Sequence, residues 1–424
     1  TYGDLEDFDL VSGVELPEHY AISLRWTALE PGNIFGAIWK FNAAENWEQF
    51  REGAALFSAP AQNIVYADVD GNIGYQMPGV IPVRNSGDGS LPVPGWIDEY
   101  EWIDTIPFDE LPFAFNPPQG YVVTANNAVV GPDYEYMLSK EWAYGYRARR
   151  IVELVENANG PIDISYNQRI QGDNKNLNAA NLIPVLEGIE FDEERLVELR
   201  TMLADWDYQQ PMDSPEAALF ETFWSALLAE TFHDDLPEDY WPGGGARWYQ
   251  VVENILQDPD SDWWDDKRTP EVEGRDEIFR RAFEIAVDWL EELQGENPGR
   301  WSWGDLHTIT FQNQSLGKSG VGPVEAIFNR GEFPTAGGAG IVNATGWDAS
   351  ESYAVKSVPS MRMIVDLGNL TNSLTIHTTG QSGHAYHAHY VDMADLWRNI
   401  QYLPMLWDRA ATEQDAEGHL RLVP

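Results

Sequence analysis

Two adjacent amide side chains, Asn126 and Asn127, are the residues of this sequence whose type and position best fit catalytic chemistry. They follow a β-branched run at 121–124, which we predict to be a strand, and that run follows a turn-forming stretch at 116–120. An amide NH2 group held at a strand edge can donate to a carbonyl oxygen on which negative charge develops, a contribution of about 3–4 kcal/mol. The pattern therefore indicates an oxyanion hole, and an Asx-rich turn that only closes the strand is the alternative.

Histidines offer a second possible chemistry. His384, His387 and His389 have the composition of a transition-metal site. On a strand, His387 and His389 would share one face, whereas a metal needs three convergent nitrogens, so the spacing favours a structural role. His307 lies in a Trp-rich stretch and is expected to be a packed core residue rather than a base. The chain has no Cys, which excludes thiol chemistry and disulfides.

The elements that would position the paired amides are mainly strands in the first third of the chain. Residues 20–27 are predicted to form a strand, and the segments 63–68 and 73–76 flank Asp70-Gly71, a strong hairpin signal. Residues 43–53 are predicted to form a short helix that ends at a glycine.

Helices are predicted to dominate the middle of the chain. Ser214 is a suitable N-cap and Pro215 a suitable first helical residue for a helix that extends to about residue 232. Apolar stripes predict further helices at 191–206 and 276–293, and β-like segments at 361–366 and 373–379 precede a short helix at 393–400.

This strand–helix–strand order predicts an α+β fold whose helical part is inserted into, or flanks, a sheet core. We divide the chain into a strand-rich part at 1–150, a mainly helical part at 151–300, and a part at 301–424 that returns to strands, all within one continuous domain.

The chain has 424 residues, and its hydrophobic fraction of 43 % is typical of a globular protein. Its 69 acidic residues outnumber 26 basic ones, which gives a net charge of −43 that is spread along the sequence. Self-repulsion of this size destabilises a compact state, and molar salt, where the Debye length is about 3 Å, removes most of it. We therefore interpret the surface as halophilic, with a cationic partner as the alternative. The charge argues against nucleic-acid binding, and no apolar run approaches the length of a membrane span.

Seven short motifs follow one another along the sequence, each occurring once. They are NIVYADVDGNIGY at 63–75, GVIPVR at 79–84, LPVPGW at 91–96, NPPQGYVVTANN at 116–127, WAYGYRARRI at 142–151, PSMR at 359–362, and GQSG at 380–383, which is followed by His389-Tyr390 and Trp397. In order and spacing they resemble the β chain of the penicillin acylase family of N-terminal nucleophile hydrolases, over nearly all of residues 20–410.

The resemblance implies a four-layer αββα sandwich with a helical insertion or flanking region. It also implies hydrolysis of an amide bond to an acyl side chain, with the hydroxyl of an N-terminal Ser as the nucleophile. The α-amino group of that Ser would act as the base, since an α-amine has a pKa near 8 and accepts a proton at neutral pH. No cofactor is expected for catalysis.

Three positions of this sequence fall on functional positions of the family. Asn126 falls on the Asn of the oxyanion hole, and Arg147 falls on the Arg that orients this Asn and the surroundings of the nucleophile. Outside the motif, a helix-surface salt bridge would be the alternative role for Arg147. Some family members carry a structural calcium, one of whose ligands, a backbone carbonyl, would fall at Gly89.

The family's nucleophile lies far upstream of the segment that matches residues 20–27, and only 19 residues precede that segment here. The resemblance therefore implies that this chain is the C-terminal portion of a β chain. Its partners would be the N-terminal part of the β chain and an α chain from the same autoproteolytically processed precursor. Thr1 is the alternative nucleophile, but its acidic, polar surroundings lack a strand to hold it.

These observations predict a halophilic, haloarchaeal-like amidohydrolase that acts on an N-acylated small molecule. Penicillin G and an N-acyl-homoserine lactone are the two substrate candidates, so the activity would concern an antibiotic or quorum quenching. A family scaffold or binding protein that has lost its nucleophile is the alternative. We expect export to a hypersaline environment, with a cytoplasmic location as the alternative.

Overall fold

The computed structural model describes residues 22–423. These residues divide into two compact units, a first unit at 22–122 and 129–141 and a second unit at 123–128 and 142–423. All paired strands are antiparallel, and helices dominate the stretch from 146 to 294. This is the predicted α+β class, and the predicted divisions at 150 and 300 stay a prediction. None of the helices in the described part of the chain is long and apolar enough to cross a membrane.

The first unit combines two helices with two small sheets. Its elements are α1 (Ile34–Ala43), α2 (Trp47–Ala54), β1 (Ile64–Ala67), β2 (Ile73–Gln76), β3 (Pro82–Arg84), β4 (Trp102–Thr105) and β5 (Phe113–Phe115). One sheet has the order β1-β2-β5, and the other pairs β3 with β4. The predicted hairpin at Asp70-Gly71 is confirmed, with Ala67 paired to Ile73 and Gly71 at a φ of 88°, where a side chain would be strained.

The second unit contains the remaining helices and strands. Its helices are α3 (Tyr146–Glu156), α4 (Ile164–Gln171), α5 (Leu177–Glu187), α6 (Glu194–Ala204), α7 (Pro215–Phe232), α8 (Ala246–Leu256), α9 (Arg275–Gln294), α10 (Trp303–Leu306), α11 (Gly322–Phe328), α12 (Ala394–Arg398) and α13 (Arg409–Asp415). Its strands are β6 (Thr308–Phe311), β7 (Arg330–Pro334), β8 (Gly346–Asp348), β9 (Ser352–Ser357), β10 (Met361–Ile364), β11 (Leu374–His377) and β12 (Leu403–Pro404). The strands pair as β6-β7, β8-β9 and β10-β11-β12.

The core of the second unit is built around α7. This helix begins where predicted, because the Ser214 hydroxyl accepts a hydrogen bond from the amide of Ala217 at 2.9 Å and Pro215 occupies the first turn. Its apolar side chains are buried on more than one face, and it packs along α9, where Phe223 contacts the rings of Phe279 and Phe283. A helix that is apolar nearly all round belongs in the centre of a core.

Most of the predicted elements are confirmed within a few residues. The helix predicted at 191–206 is α6, that at 276–293 is α9, and that at 393–400 is α12. The strands predicted at 361–366 and 373–379 are β10 and β11, paired antiparallel.

Three predictions of local structure need correction. Residues 22–26 form no strand, although residues 20 and 21 of that predicted strand lie outside the described part. The helix predicted at 43–53 is α2, which begins at Trp47 rather than at residue 43 because Asn46 caps it, while Ala43 is the last residue of α1. Residues 121–124 belong to no strand, because no described strand pairs with them, and a β-branched run forms a ladder only beside a neighbour.

Candidate active site

Asn126 is presented by a tight turn rather than by the end of a strand. Its φ is 65°, in the left-handed region that Asn tolerates better than most residues. The side chain of Asn127 stabilises this turn, because its Oδ1 accepts from the amide of Ala125 at 3.1 Å and its Nδ2 donates to the carbonyl of Ala128 at 3.0 Å. The carbonyl of Asn126 accepts from the amide of Ala143 at 2.8 Å. Asn127 therefore has the turn-closing role of the alternative interpretation, which leaves the side chain of Asn126 for another role.

Arg147 reaches this turn from the first turn of α3. Gly145, with a φ of 76°, turns the chain into the helix at a position where most residues would be strained. The Nη2 atom of Arg147 donates to the carbonyl of Ala125 at 3.0 Å and to Oδ1 of Asn126 at 2.8 Å. The structure thus brings together the two residues that the sequence predicted for the site.

The contact with Arg147 determines which way the Asn126 amide faces. A guanidinium has donors only, so the atom that it meets must be the amide oxygen. The Nδ2 atom then lies on the other side of an exposed side chain, and no acceptor within residues 22–423 takes its hydrogens. The side chain of Asn126 therefore presents an oriented NH2 donor that is free to bind a ligand.

Arg147 differs from a helix-surface cation in its surroundings. Partial burial lowers the pKa of its guanidinium from the ordinary value, although an Arg remains charged at any physiological pH. No carboxylate of the described part of the chain forms an ion pair with it. The salt-bridge alternative is therefore absent there, and the observed contacts of Arg147 are those to the turn of Asn126.

A single amide donor is one part of the machinery for amide hydrolysis. It can stabilise an oxyanion, but the reaction also needs a nucleophile, a base and a second donor. The described residues bring no Ser or Thr hydroxyl within hydrogen-bond distance of the Asn126 side chain. Thr1, the alternative nucleophile, lies outside the described residues.

The described surroundings of Gly89 contain a cation and no cluster of further calcium ligands, so the calcium site stays a prediction. Gly89 has a φ of 80°, and a Cβ atom there would lie 2.8 Å from the guanidinium of Arg84, a cation that would repel a metal. The neighbouring carboxylate of Asp88 already accepts from the Ser90 amide at 2.9 Å and from Lys140. No group of three or more acidic or His side chains that could hold a metal occurs in residues 22–423.

The three clustered histidines do not converge either. His389 lies between two carboxylates, with Nδ1 at 2.6 Å from Oδ2 of Asp392 and Nε2 at 2.8 Å from Oε1 of Glu417. These acceptors, Asp392 first, raise the pKa of His389 to about 9. The Nδ1 atoms of His384 and His387 accept from backbone amides two residues along the chain. These contacts stabilise a turn and leave no open metal site.

His307 is a packed core residue, as predicted. It is fully buried and stacked on Trp303 at a ring distance of 4.4 Å. Its Nδ1 faces the carbonyl of Tyr353 at 2.8 Å, and its Nε2 lies 3.0 Å from the Thr345 hydroxyl. Burial lowers the pKa of His307 to about 4, so the ring is neutral at pH 7.

Sequence reasoning missed the residues that support the candidate site. For the role of Asn127 in the turn, the pair of adjacent Asn residues was the only indication in the sequence. The hydrogen bond from Ala143 to Asn126 could not be predicted, because it joins two backbone groups and does not depend on residue type. The left-handed φ of Asn126 could have been suspected from its residue type, since Asn is enriched in that region.

Comparisons with a family profile and with curated proteins identify the same family, and they match this chain to about half of each relative. The sequence profile of the family described as penicillin amidase matches residues 7–414. The acyl-homoserine lactone acylase QuiP of Pseudomonas aeruginosa is 30 % identical over an alignment of 435 positions, which covers 93 % of this chain and 50 % of that protein. A penicillin acylase 2 proenzyme of a Pseudomonas species is 30 % identical over an alignment of 414 positions, which covers 93 % of this chain and 51 % of that protein. The chain thus spans about half the length of the curated relatives it matches.

The structure is also similar to a solved one. A thermostable penicillin G acylase from Alcaligenes faecalis matches with a TM-score of 0.63 and 22 % identity, over 92 % of this chain and 72 % of that chain. At this identity the likeness concerns the fold alone. It confirms the predicted fold class, that of the N-terminal nucleophile hydrolases.

Proposed function

The chain belongs to the penicillin amidase family, and from this premise we propose that it supplies the oxyanion-binding part of an amidohydrolase. The bond cleaved is the amide that joins an acyl group to a small amine. The observation that carries the proposal is the amide of Asn126, whose oxygen is held by Arg147 at 2.8 Å so that its NH2 group is free. Such a donor is needed where a carbonyl oxygen becomes an oxyanion.

The proposed reaction proceeds through an acyl-enzyme. The hydroxyl of an N-terminal Ser attacks the carbonyl carbon of the amide, and the α-amino group of the same Ser takes the hydroxyl proton. The Nδ2–H of Asn126 donates to the oxyanion of the tetrahedral intermediate, while Arg147 keeps the amide from rotating. The amine then leaves with a proton, and water hydrolyses the ester. The Ser and the second oxyanion donor belong to a segment outside this chain.

The substrate class is an N-acylated small molecule. Relatives named as acyl-homoserine lactone acylase and as penicillin acylase support this class and leave the acyl chain open. The net charge of −43 favours an uncharged lactone over a penicillin as substrate at low salt, because it repels the anionic penicillin. In molar salt this discrimination disappears because the field is screened.

The remaining assignments concern the whole protein. We infer that the chain is the C-terminal portion of a β chain and that it assembles with the N-terminal portion and an α chain. The half-length match to the relatives supports this. The acidic composition supports a halophilic, haloarchaeal-like protein exported to a hypersaline environment. The competing proposal is a family scaffold without a nucleophile.

The test is N-terminal sequencing and intact-mass measurement on the native assembly, followed by hydrolysis assays in molar salt. We expect a second polypeptide that begins with Ser, together with release of an acyl group from N-acyl-homoserine lactones or penicillin G. An assembly without such a polypeptide and without hydrolysis of either substrate would favour the inactive scaffold.

A further inference from the structure

Helix α3 carries three arginines, and Arg150 lies about one turn beyond Arg147, which contacts Asn126. Arg147 and Arg150 are three residues apart, so they lie on neighbouring positions of one helix face. Arg147 contacts the turn of Asn126, whereas Arg150 contacts another segment of the second unit. The position of α3 therefore determines where the guanidinium of Arg147 meets the amide.

Arg150 forms a two-pronged ion pair with Asp173, just beyond the end of α4. Its Nε donates to Oδ2 and its Nη2 donates to Oδ1, both at 2.9 Å. Both side chains are largely buried, with exposures of 11 % and 7 %. The hydrogen bonds to Asp173 raise the pKa of Arg150 above its ordinary value. A bidentate, buried pair has a defined geometry, unlike a solvated surface pair.

Asp173 is in turn fixed by other parts of the second unit. Its Oδ1 also accepts from Nε2 of Gln209 at 3.2 Å, and its carbonyl accepts from the amide of Asn343 at 3.0 Å. Nη2 of Arg362, from the PSMR motif, donates to Oδ1 of Asn343 at 2.9 Å. Asp173 is thus a fixed anchor for α3 rather than a mobile counter-ion.

We propose that Arg150 is a positioning residue for the candidate site. Its pair with Asp173 holds α3 so that Arg147 keeps the Asn126 amide turned with its NH2 group outward. The proposal rests on the proposed function for its effect on catalysis, but its structural part does not. Arg149, on the same helix, is a matched control because it is exposed and its guanidinium lies 5.2 Å from the ring of Tyr146 without an ion pair to any of residues 22–423.

The experiment compares Arg150→Lys, Asp173→Asn and the double variant with Arg149→Lys in the complete native assembly. Lys keeps the charge but cannot form the two parallel hydrogen bonds. We expect kcat to fall about 10- to 100-fold with KM within about twofold, since the oxyanion contact acts in the transition state. The double variant should lose little more than either single one, because both changes break the same pair. Arg149→Lys should behave as the wild type.

A second readout does not need activity. The side-chain NH2 signal of Asn126, recorded by NMR with 15N-labelled Asn and assigned with Asn126→Gly, should shift in Arg150→Lys and Asp173→Asn but not in Arg149→Lys. An unshifted signal in folded Arg150→Lys would overturn the proposal, whether or not the melting temperature falls. If the wild-type assembly has no amidase activity, the proposed function fails, and the NMR signal still decides the positioning role.

Discussion

The guanidinium of Arg147 and the side-chain oxygen of Asn126 form a hydrogen bond of 2.8 Å across a turn in the second unit. Because Arg can only donate, the atom that it contacts must be the amide oxygen of Asn126. The bond therefore distinguishes the oxygen from the NH2 group, which are nearly equal in size. The consequence is an exposed NH2 donor whose orientation is fixed before any ligand binds. Preorganised donors of this kind stabilise a developing charge without a reorganisation cost.

Replacement of Asn126 by Gly should remove catalysis while leaving the fold intact. Gly tolerates the φ of 65° at this position, whereas Ala would add backbone strain to the loss of the amide. We expect kcat of the native assembly to fall by about 10²–10³, as for the loss of one oxyanion donor. Steady-state kinetics in molar salt give the measurement, and an unchanged melting temperature is the control. Turnover equal to that of the wild type would remove Asn126 from the site.

Sequence patterns predicted an element correctly where the element depends only on residues that are adjacent in the chain. The hairpin at Asp70-Gly71 and the start of α7 at Ser214 and Pro215 depend on neighbouring residues alone. The strands predicted at 20–27 and 121–124 needed neighbouring strands, which no local pattern can supply, and residues 22–26 and 121–124 belong to no strand of the structure. Propensity alone does not make a strand.

The candidate site was predictable in its residues but not in its geometry. The resemblance to a known family identified Asn126 and Arg147 by motif. The sequence indicated an Asx-rich turn only as an alternative, and the structure assigns that role to Asn127. Nothing in the sequence indicated that Asp173 would anchor α3, because that contact joins segments 23 residues apart. Long-range pairs of this kind follow from the packing of helices and not from spacing along the chain.

His307 should make the protein less stable in mild acid. Its pKa is about 4 in the folded state and 6.5 ordinarily, so folding disfavours the protonated ring. Its stabilising effect is therefore present above pH 6.5 and is lost as the pH falls towards 4, by about 3 kcal/mol in total. Denaturant unfolding between pH 7 and pH 4 measures the loss. The variant His307→Gln should show a shallower dependence over this range, and an equal slope would exclude His307 as its cause.

Glu221 should produce the opposite dependence. It is fully buried, and burial raises its pKa from 4.5 to about 7 despite hydrogen bonds from Gln210 at 2.6 Å and Asn176 at 3.1 Å. The folded state prefers the neutral carboxyl, so this stabilisation is present below pH 4.5 and is lost as the pH rises through 7. The loss amounts to about 3 kcal/mol.

The comparison of wild type with Glu221→Gln isolates this effect of Glu221. Gln is uncharged at every pH, so the difference in unfolding free energy between the two proteins should change between pH 5 and pH 8 in favour of the variant. A difference that stays constant over this range would mean that Glu221 does not titrate there.

His389 should remain protonated at neutral pH and should not bind metal. Its pKa of about 9, caused by Asp392 and then Glu417, lies above the ordinary 6.5, so its contribution to stability is present below pH 6.5 and is lost as the pH rises through 9. NMR titration of the ring protons gives this pKa directly. Asp392→Asn should lower it towards 6.5, and addition of Zn²⁺ at pH 7 should leave the ring signals of the wild type unchanged. Broadening of those signals by stoichiometric Zn²⁺ would contradict the assignment.

The stability of the folded chain should depend strongly on the salt concentration. Even if each of its 26 basic residues paired with one acid, 43 of its 69 acids would remain without a counter-charge. Pairs such as Arg25 with Glu101, both more than half exposed, add at most about 1 kcal/mol each and cannot compensate for that repulsion. Raising the ionic strength to about 1 M shortens the Debye length to about 3 Å, below the spacing of most surface charges.

We therefore expect the cooperative thermal transition to weaken and to move to lower temperature as NaCl is reduced from about 2 M to dilute buffer. Circular dichroism at several salt concentrations follows it. Sucrose is the matched control, because it favours compact states by exclusion from the surface but screens no charge, and so it should restore less stability than NaCl. A cooperative melt that is unchanged in dilute buffer would refute the halophilic interpretation. Equal rescue by sucrose would show that charge repulsion is not the cause of the instability.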